Sequence, residues 1–151
     1  MVQDVARTGG EAAIHRALDW LTRRDPASLE QGLKPGRRAM AFNLTVLSTL
    51  LGTALEPDFT GAELLIEEVG EHDYRVDRAM FHLTGSAAIR QIYGLRMGRM
   101  SEIPDNEPAF GSDTAVIVRD WCGRAGIEYL GEADIGHDAA NRVVPFHLAH
   151  D

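Results

Sequence analysis

At 151 residues and 16.6 kDa, the chain has the size of one ordinary domain. A domain of that size buries about two-thirds of the surface its unfolded form exposes, so it needs no disulfide or metal staple. Hydrophobic residues at 44% and charged residues at 25% exclude a disordered polar chain. Fifteen basic residues face 23 acidic ones, and the resulting charge of −8 is evenly spread: 8 against 12 over residues 1–75, 7 against 11 over residues 76–151. With no basic half, tail or stripe, nucleic acid and anionic membrane surfaces are excluded as expected partners.

The first seven residues, Met1 to Arg7, have no apolar signal core, and runs such as Val46 to Gly52 are far too short to span a bilayer. The single cysteine, Cys122, excludes an internal disulfide and points to a reducing compartment. The expectation is a cytoplasmic α/β domain.

Ile14, Ala17, Leu18 and Leu21 repeat at i, i+3, i+4, i+7, which predicts an amphipathic helix over residues 10–23, ended by Asp25-Pro26. Pro26, Ser28, Gly32, Pro35 and Gly36 then mark a loop suited to a linker, so residues 1–35 read as a helix plus connection and 36–151 as the main domain. Ala39 to Phe42 predicts a strand, Asn43 a helix cap, and Leu44, Leu47, Leu50 and Leu51 a helix stopped at Gly52. Glu63 to Glu67 is an apolar strand closed by acids. Tyr74 to Leu83 is helical, with Val76, Met80 and Leu83 on one face, and a short helix to Gln91 follows Gly85.

Ile92 to Met97 predicts a further strand. Its Gly94-x-x-x-Gly98 marks a bulge or a close backbone approach, since no Gly-rich phosphate loop is present. Ser101 to Ser112 is a loop, and Asp113 caps a helix carrying Val118, Trp121, Cys122 and Ala125, stopped by Gly126. Ile127 to Leu130 is a strand, Asp134 to Asn141 a polar loop, and Arg142 to Phe146 a last strand. Strands alternating with helices predict an α/β fold with parallel pairs.

Ionisable residues gather at two strand ends. Alternation sends Glu67 and Glu68 to opposite faces, so one at most can serve a given site; the plain alternative is a solvated strand end. Gly136-His137 lies in a loop between strands, where a glycine allows an imidazole to be presented at a strand terminus; the plain alternative is an exposed turn histidine. His15, His72, His82, His137, His147 and His150 match no metal spacing, and His147-x-x-His150 sits at the very end, so neither metal nor cofactor is expected. Among Ser28, Ser48, Ser86, Ser101 and Ser112, none lies in a strand–turn–helix elbow; Ser112 reads as a helix cap. Cys122 lies on an apolar helix face and reads as a core thiol.

Read together, Ala41-Phe42-Asn43-Leu44, Leu51-Gly52-Thr53 and Pro57-Asp58-Phe59-Thr60-Gly61 resemble the start of the C-terminal domain of the LD-carboxypeptidase family. Leu65-Ile66-Glu67-Glu68-Val69-Gly70-Glu71 with Tyr74-Arg75-Val76-Asp77-Arg78 is similar to that family's Leu-Glu-Asp-x-x-Glu-x-x-Tyr-x-x-Asp-Arg block, and Gly136-His137 and Val144-Pro145-Phe146 continue the match. The resemblance implies a β/β/α swivelling-type domain with a mixed sheet and flanking helices. It implies a serine peptidase that releases D-alanine from murein tetrapeptide in peptidoglycan recycling. Glu67 and His137 would be the glutamate and histidine of a Ser-His-Glu triad whose serine sits in a separate N-terminal domain, supplied in cis or in trans. Gly111-Ser112-Asp113 imitates the family's serine elbow but falls between blocks of the C-terminal domain. The family's glycine pair before the asparagine is Ala41-Phe42 here.

On this reading the chain is a truncated form in which Met1 is an internal methionine and the last four residues lie outside the family pattern. By itself it is then expected to show no peptidase activity. Family members are often dimers, which makes a homodimer an expected assembly. The alternative is a non-catalytic module that binds cell-wall peptides or a protein.

Overall fold

A computed structural model describes residues 8–146. Helix α1 (Gly10–Arg23) leads into strand β1 (Ala39–Asn43), helix α2 (Leu44–Leu50), strand β2 (Glu63–Val69), helix α3 (Asp73–Gly85), strand β3 (Gly94–Ser101), helix α4 (Thr114–Ala125) and strand β4 (Tyr129–Glu132). The sheet order is β1-β2-β3-β4. All three pairings are parallel, which corrects the expected mixed sheet. The physical reason is that a helix stands between each strand and the next, and such a crossover brings the chain back in the same direction. Right-handed crossovers that step one way across a sheet put their helices on one face.

The alternation of the strands sorts the interior accordingly. Leu64, Ile66, Leu95 and Met97 are buried against Leu44, Leu47, Val76, Met80, Leu83, Val118 and Cys122 of the three helices. A smaller apolar cluster of Ala39, Leu65, Ala133 and Ile135 occupies the opposite face, covered by Leu33, Ala41 and Val144. On that face the loop after α1 is pinned by charge. Arg96 pairs with Glu30 at 2.6 Å and Glu63 at 3.4 Å, and both acids are buried. Burial alone would raise the Glu30 carboxyl; the Arg96 hydrogen bonds and the Asp134 N–H hold it below its ordinary value instead.

Caps fall where the sequence puts them. Asn43 Oδ1 accepts from Val46 N–H, Asp113 Oδ1 accepts from Val116 N–H, and Gly126 ends α4 in the left-handed conformation. The short helix before Gln91 is a single 3-10 turn, Ile89–Gln91.

Four elements differ from expectation. β3 and β4 begin two residues later than predicted and run on to Ser101 and Glu132. Arg142 to Phe146 forms two isolated parallel bridges, Leu29 with Val143 and Ala39 with Phe146, instead of a strand. The two bridges go to different segments, the loop after α1 and strand β1, so no single ladder forms. In α1, Leu18 and Leu21 are 50% and 65% exposed, while Trp20 is the large buried side chain. The helix is turned so that Ala13 joins Ile14 and Ala17 of the predicted stripe in facing the domain, while Leu18 and Leu21 do not. Arg16 donates to the carbonyls of Asn141 and Ala139, tying α1 to the loop after β4.

β3 is irregular. Ile66 pairs with Met97 and Glu68 with Met100, so two steps along β2 match three along β3. A bulge of this kind shifts the alternation by one. Gly98 lies within it, and a Cβ there would meet Ile135 Cγ1 at 2.5 Å and the Ile135 carbonyl at 2.8 Å. This is the close backbone approach that glycine in a strand predicts.

Candidate active site

Ends of parallel strands point their chemistry to one edge of the sheet, the edge where α/β proteins hold ligands. Here Asn43 ends β1, Glu67 lies near the end of β2 directly opposite it in register, and His137 sits on the loop beyond β4. A cavity of about 380 Å³ opens among them, lined by Phe42, Asn43, Glu67, His137, Asp138 and Phe146, with Ile14 and Ala17 of α1 along one wall. The sheet thus brings together two residues 70 positions apart, the two that the sequence singles out.

The adjacent acids take opposite roles. Glu68 is buried on the helix face and accepts from Asn43 Nδ2 (2.5 Å), Thr45 N–H (2.8 Å) and Val69 N–H (2.9 Å). It is a structural acceptor at the start of α2. Glu67 faces the cavity, and its Oε2 is buried without a hydrogen-bond partner among the described residues. Burial raises the Glu67 carboxyl above its ordinary value; Glu68 and Asp138 push it the same way, while His137 and an Asn43 hydrogen bond draw it down. His137 and Glu67 are therefore close enough to interact electrostatically.

The histidine loop is braced from below. Arg99 donates through Nε to Asp138 Oδ2 (2.5 Å), through Nη2 to Asp138 Oδ1 (3.0 Å) and through Nη1 to Asp134 Oδ1 (2.5 Å). Its N–H donates to the Ile135 carbonyl at 2.8 Å. Asn141 Oδ1 accepts from Gly136 N–H, and Arg142 reaches Asp134 Oδ2 and the Ala27 carbonyl. None of Asn43, Arg99, Asp138 and Arg142 stands out in the sequence as a site residue. The one visible signal is the pair Asp134 and Asp138 bracketing His137.

No serine, threonine or cysteine is among the residues lining this cavity. Ser86 accepts from Ala88 N–H beyond the end of α3, and Ser112 is exposed ahead of α4, where Asp113 rather than Ser112 is the cap. Cys122 is buried in the core, its thiol pushed up to about 11 by burial, as an inert core thiol should be. His147 and His150 lie outside the described residues. Among the described residues no helix is long and apolar enough to cross a membrane.

Comparison with known proteins gives a consistent set of relatives. A family model, the LD-carboxypeptidase C-terminal domain, matches residues 38–149. An inferred carboxypeptidase of Synechocystis sp. is 34% identical over 120 residues, covering 78% of this chain and 39% of that protein. The murein tetrapeptide carboxypeptidase of Pseudomonas aeruginosa is 29% identical over 106 residues, covering 69% of this chain and 34% of its own length. The crystal structure of muramoyltetrapeptide carboxypeptidase from Oxalobacter formigenes superposes with a TM-score of 0.72 at 25% identity, over 88% of this chain and 48% of that one. The chain thus spans little more than a third of the length of the curated relatives it matches.

Proposed function

Since the chain belongs to the LD-carboxypeptidase family, matching its C-terminal domain, we propose that it supplies the histidine and glutamate of a Ser-His-Glu relay acting on a murein tetrapeptide. The observation that carries this reading is the pairing of His137 with a carboxylate whose second oxygen is buried and unpartnered, in one cavity at the strand ends. A surface-exposed acid would give an imidazole little orientation. A half-buried one bonded to its N–H fixes the tautomer and stabilises the imidazolium.

The serine comes from an N-terminal nucleophile domain, in cis or as a separate chain. His137 takes the serine hydroxyl proton as the oxygen attacks the carbonyl of the L,D amide. As the C–N bond breaks, the imidazolium returns that proton to the departing amine of the D-residue, leaving an acyl-enzyme. Water then attacks the ester with His137 again as base, and serine is regenerated. Glu67 remains ionised throughout and holds the ring. The setting is peptidoglycan recycling in the cytoplasm, and a homodimer is the proposed assembly.

The test is complementation. The chain is mixed or co-expressed with a family N-terminal domain carrying a Gly-x-Ser-Asp elbow, and D-alanine release from a murein tetrapeptide is measured. Release requires both parts; the chain alone gives none. A second reading, a peptide-binding module without turnover, draws on the absence of a nucleophile in the cavity lining of the described residues. Tetrapeptide binding by the complemented pair with no D-alanine release would select it.

A further inference from the structure

The His137 loop presents a problem of choice. Two carboxylates line the same cavity as that imidazole: Glu67 from β2, which interacts with His137 electrostatically, and Asp138, its neighbour in the chain. A histidine that alternates between them has no fixed tautomer, and a relay needs one. The charged groups around the loop are Glu67 and Glu68 on β2, Arg99 on β3, Asp134 and Asp138 on the loop itself, Arg142 after it, and Arg16 from α1.

Resting on the reading above, we propose that Arg99 is a positioning residue that withdraws Asp138 from His137 and so leaves Glu67 as its orienting partner. Asp138 has both oxygens occupied: Oδ2 by Arg99 Nε, Oδ1 by Arg99 Nη2 and by Ala140 N–H at 2.7 Å. Burial alone would raise the Asp138 carboxyl, but the Arg99 contacts and the Ala140 N–H hold it below its ordinary value. The planar fork also reaches Asp134 at the other end of the loop, so one guanidinium fixes both acids that bracket His137.

Two backbone features make this arrangement possible. The bulge in β3 shifts the alternation between Arg96 and Arg99, so both side chains serve the same face of the sheet although they are three residues apart. Gly136 lets the loop lie flat on the guanidinium; a Cβ there would meet Arg99 Nε at 2.7 Å. The glycine before the histidine is thus required by the arginine beneath it. A lysine at 99 would bring one charge without the fork, and could hold one acid but not both.

The experiment reads the ring nitrogens of His137 directly in the 15N-labelled 151-residue chain at pH 8.5, assigned by the signals lost in His137→Gln. The wild type is expected to show one dominant tautomer. Arg99→Met is expected to lose it, the two nitrogens converging on averaged shifts, and Arg99→Lys to recover part of the pattern. Gly136→Ala, which keeps every charge but displaces the guanidinium, is expected to act like Arg99→Met and decides the matter if that variant does not fold. Asp77→Ala removes the 2.7 Å bond from Trp121 Nε1, far from the loop, and is expected to lower Tm without altering the His137 pattern. A folded Arg99→Met or Gly136→Ala chain with the wild-type pattern overturns the proposal. Glu67→Gln separates it from the functional reading. If Glu67→Gln leaves the tautomer unchanged while Arg99→Met alters it, the role of Glu67 falls and that of Arg99 stands.

Discussion

Asn43 and Glu68 are joined at 2.5 Å by the same carboxamide that caps α2, its Nδ2 donating to the acid while its Oδ1 accepts from Val46 N–H. One asparagine therefore starts a helix, satisfies a buried acid and stands beside the acid that faces the cavity.

This division of labour predicts opposite responses from neighbouring substitutions. Glu68→Gln turns an amide N–H₂ toward donors that need an acceptor, and is expected to cost about 1.5–3 kcal/mol. Glu67→Gln is expected to stabilise the chain at pH 7. Because folding raises the Glu67 carboxyl, its contribution weakens the fold as pH climbs from the unfolded value near 4.5 through the folded one. The stabilisation by Glu67→Gln should therefore be larger at pH 7 than at pH 4. Urea unfolding at the two pH values measures both effects, and equal gains at both would contradict the burial argument.

The Glu30–Arg96 pair predicts the opposite pH trend. The Glu30 carboxyl is held down in the folded state, so its contribution is present above the unfolded value of 4.5 and is lost as pH falls through the folded one. Glu30→Ala leaves Arg96 with one longer carboxylate contact, to Glu63, besides the Glu132 carbonyl, and should cost about 3–5 kcal/mol at pH 7. Thermal unfolding from pH 7 down to pH 3 should show the gap between wild type and variant narrowing.

Two glycines should respond with opposite signs to alanine. At Gly98 the added carbon meets backbone and Ile135, and Gly98→Ala should cost about 1–3 kcal/mol. At Gly123 in α4 nothing lies within 4 Å, and Gly123→Ala should add about 0.5–1 kcal/mol from helix propensity alone.

In the complemented enzyme, His137→Ala and Glu67→Gln test the relay. Each is expected to lower kcat by about 10⁴, with KM little changed, since neither is asked to bind the ground state. Steady-state D-alanine release measures this, and a loss confined to KM would assign the pair to binding.

Local signals in the sequence carried much of the fold. The Asn43 and Asp113 caps, the Gly126 stop and the alternation in Glu63 to Glu67 each act over a few residues, and each has its structural counterpart. Alternation also separates Glu67 from Glu68. The features that stayed hidden depend on residues distant in the chain. The orientation of α1 depends on Arg16 meeting carbonyls more than 120 residues away, so its apolar periodicity places Ile14 and Ala17 correctly but misplaces Leu18 and Leu21. The bulge in β3 arises from pairing with β2, and strict alternation would send Arg96 and Arg99 to opposite faces. Arg142 to Phe146 reads as a strand by composition, yet its two bridges reach different segments and no ladder forms. Glu67 and His137 were legible as candidates because each lies beside a recognisable strand end; the arginine beneath the histidine loop was not.

The bridge between Leu29 and Val143 has a consequence for how the molecule is made. Ser28 and Glu30 exchange backbone hydrogen bonds with Val143, closing a loop of more than 110 residues across the face opposite the helices. Every sheet pairing spans a far shorter stretch, so the three-helix face can assemble while the chain is still being synthesised. The histidine loop receives its second anchor only after Val143 has emerged from the ribosome. The cavity wall is therefore expected to close after the three-helix face.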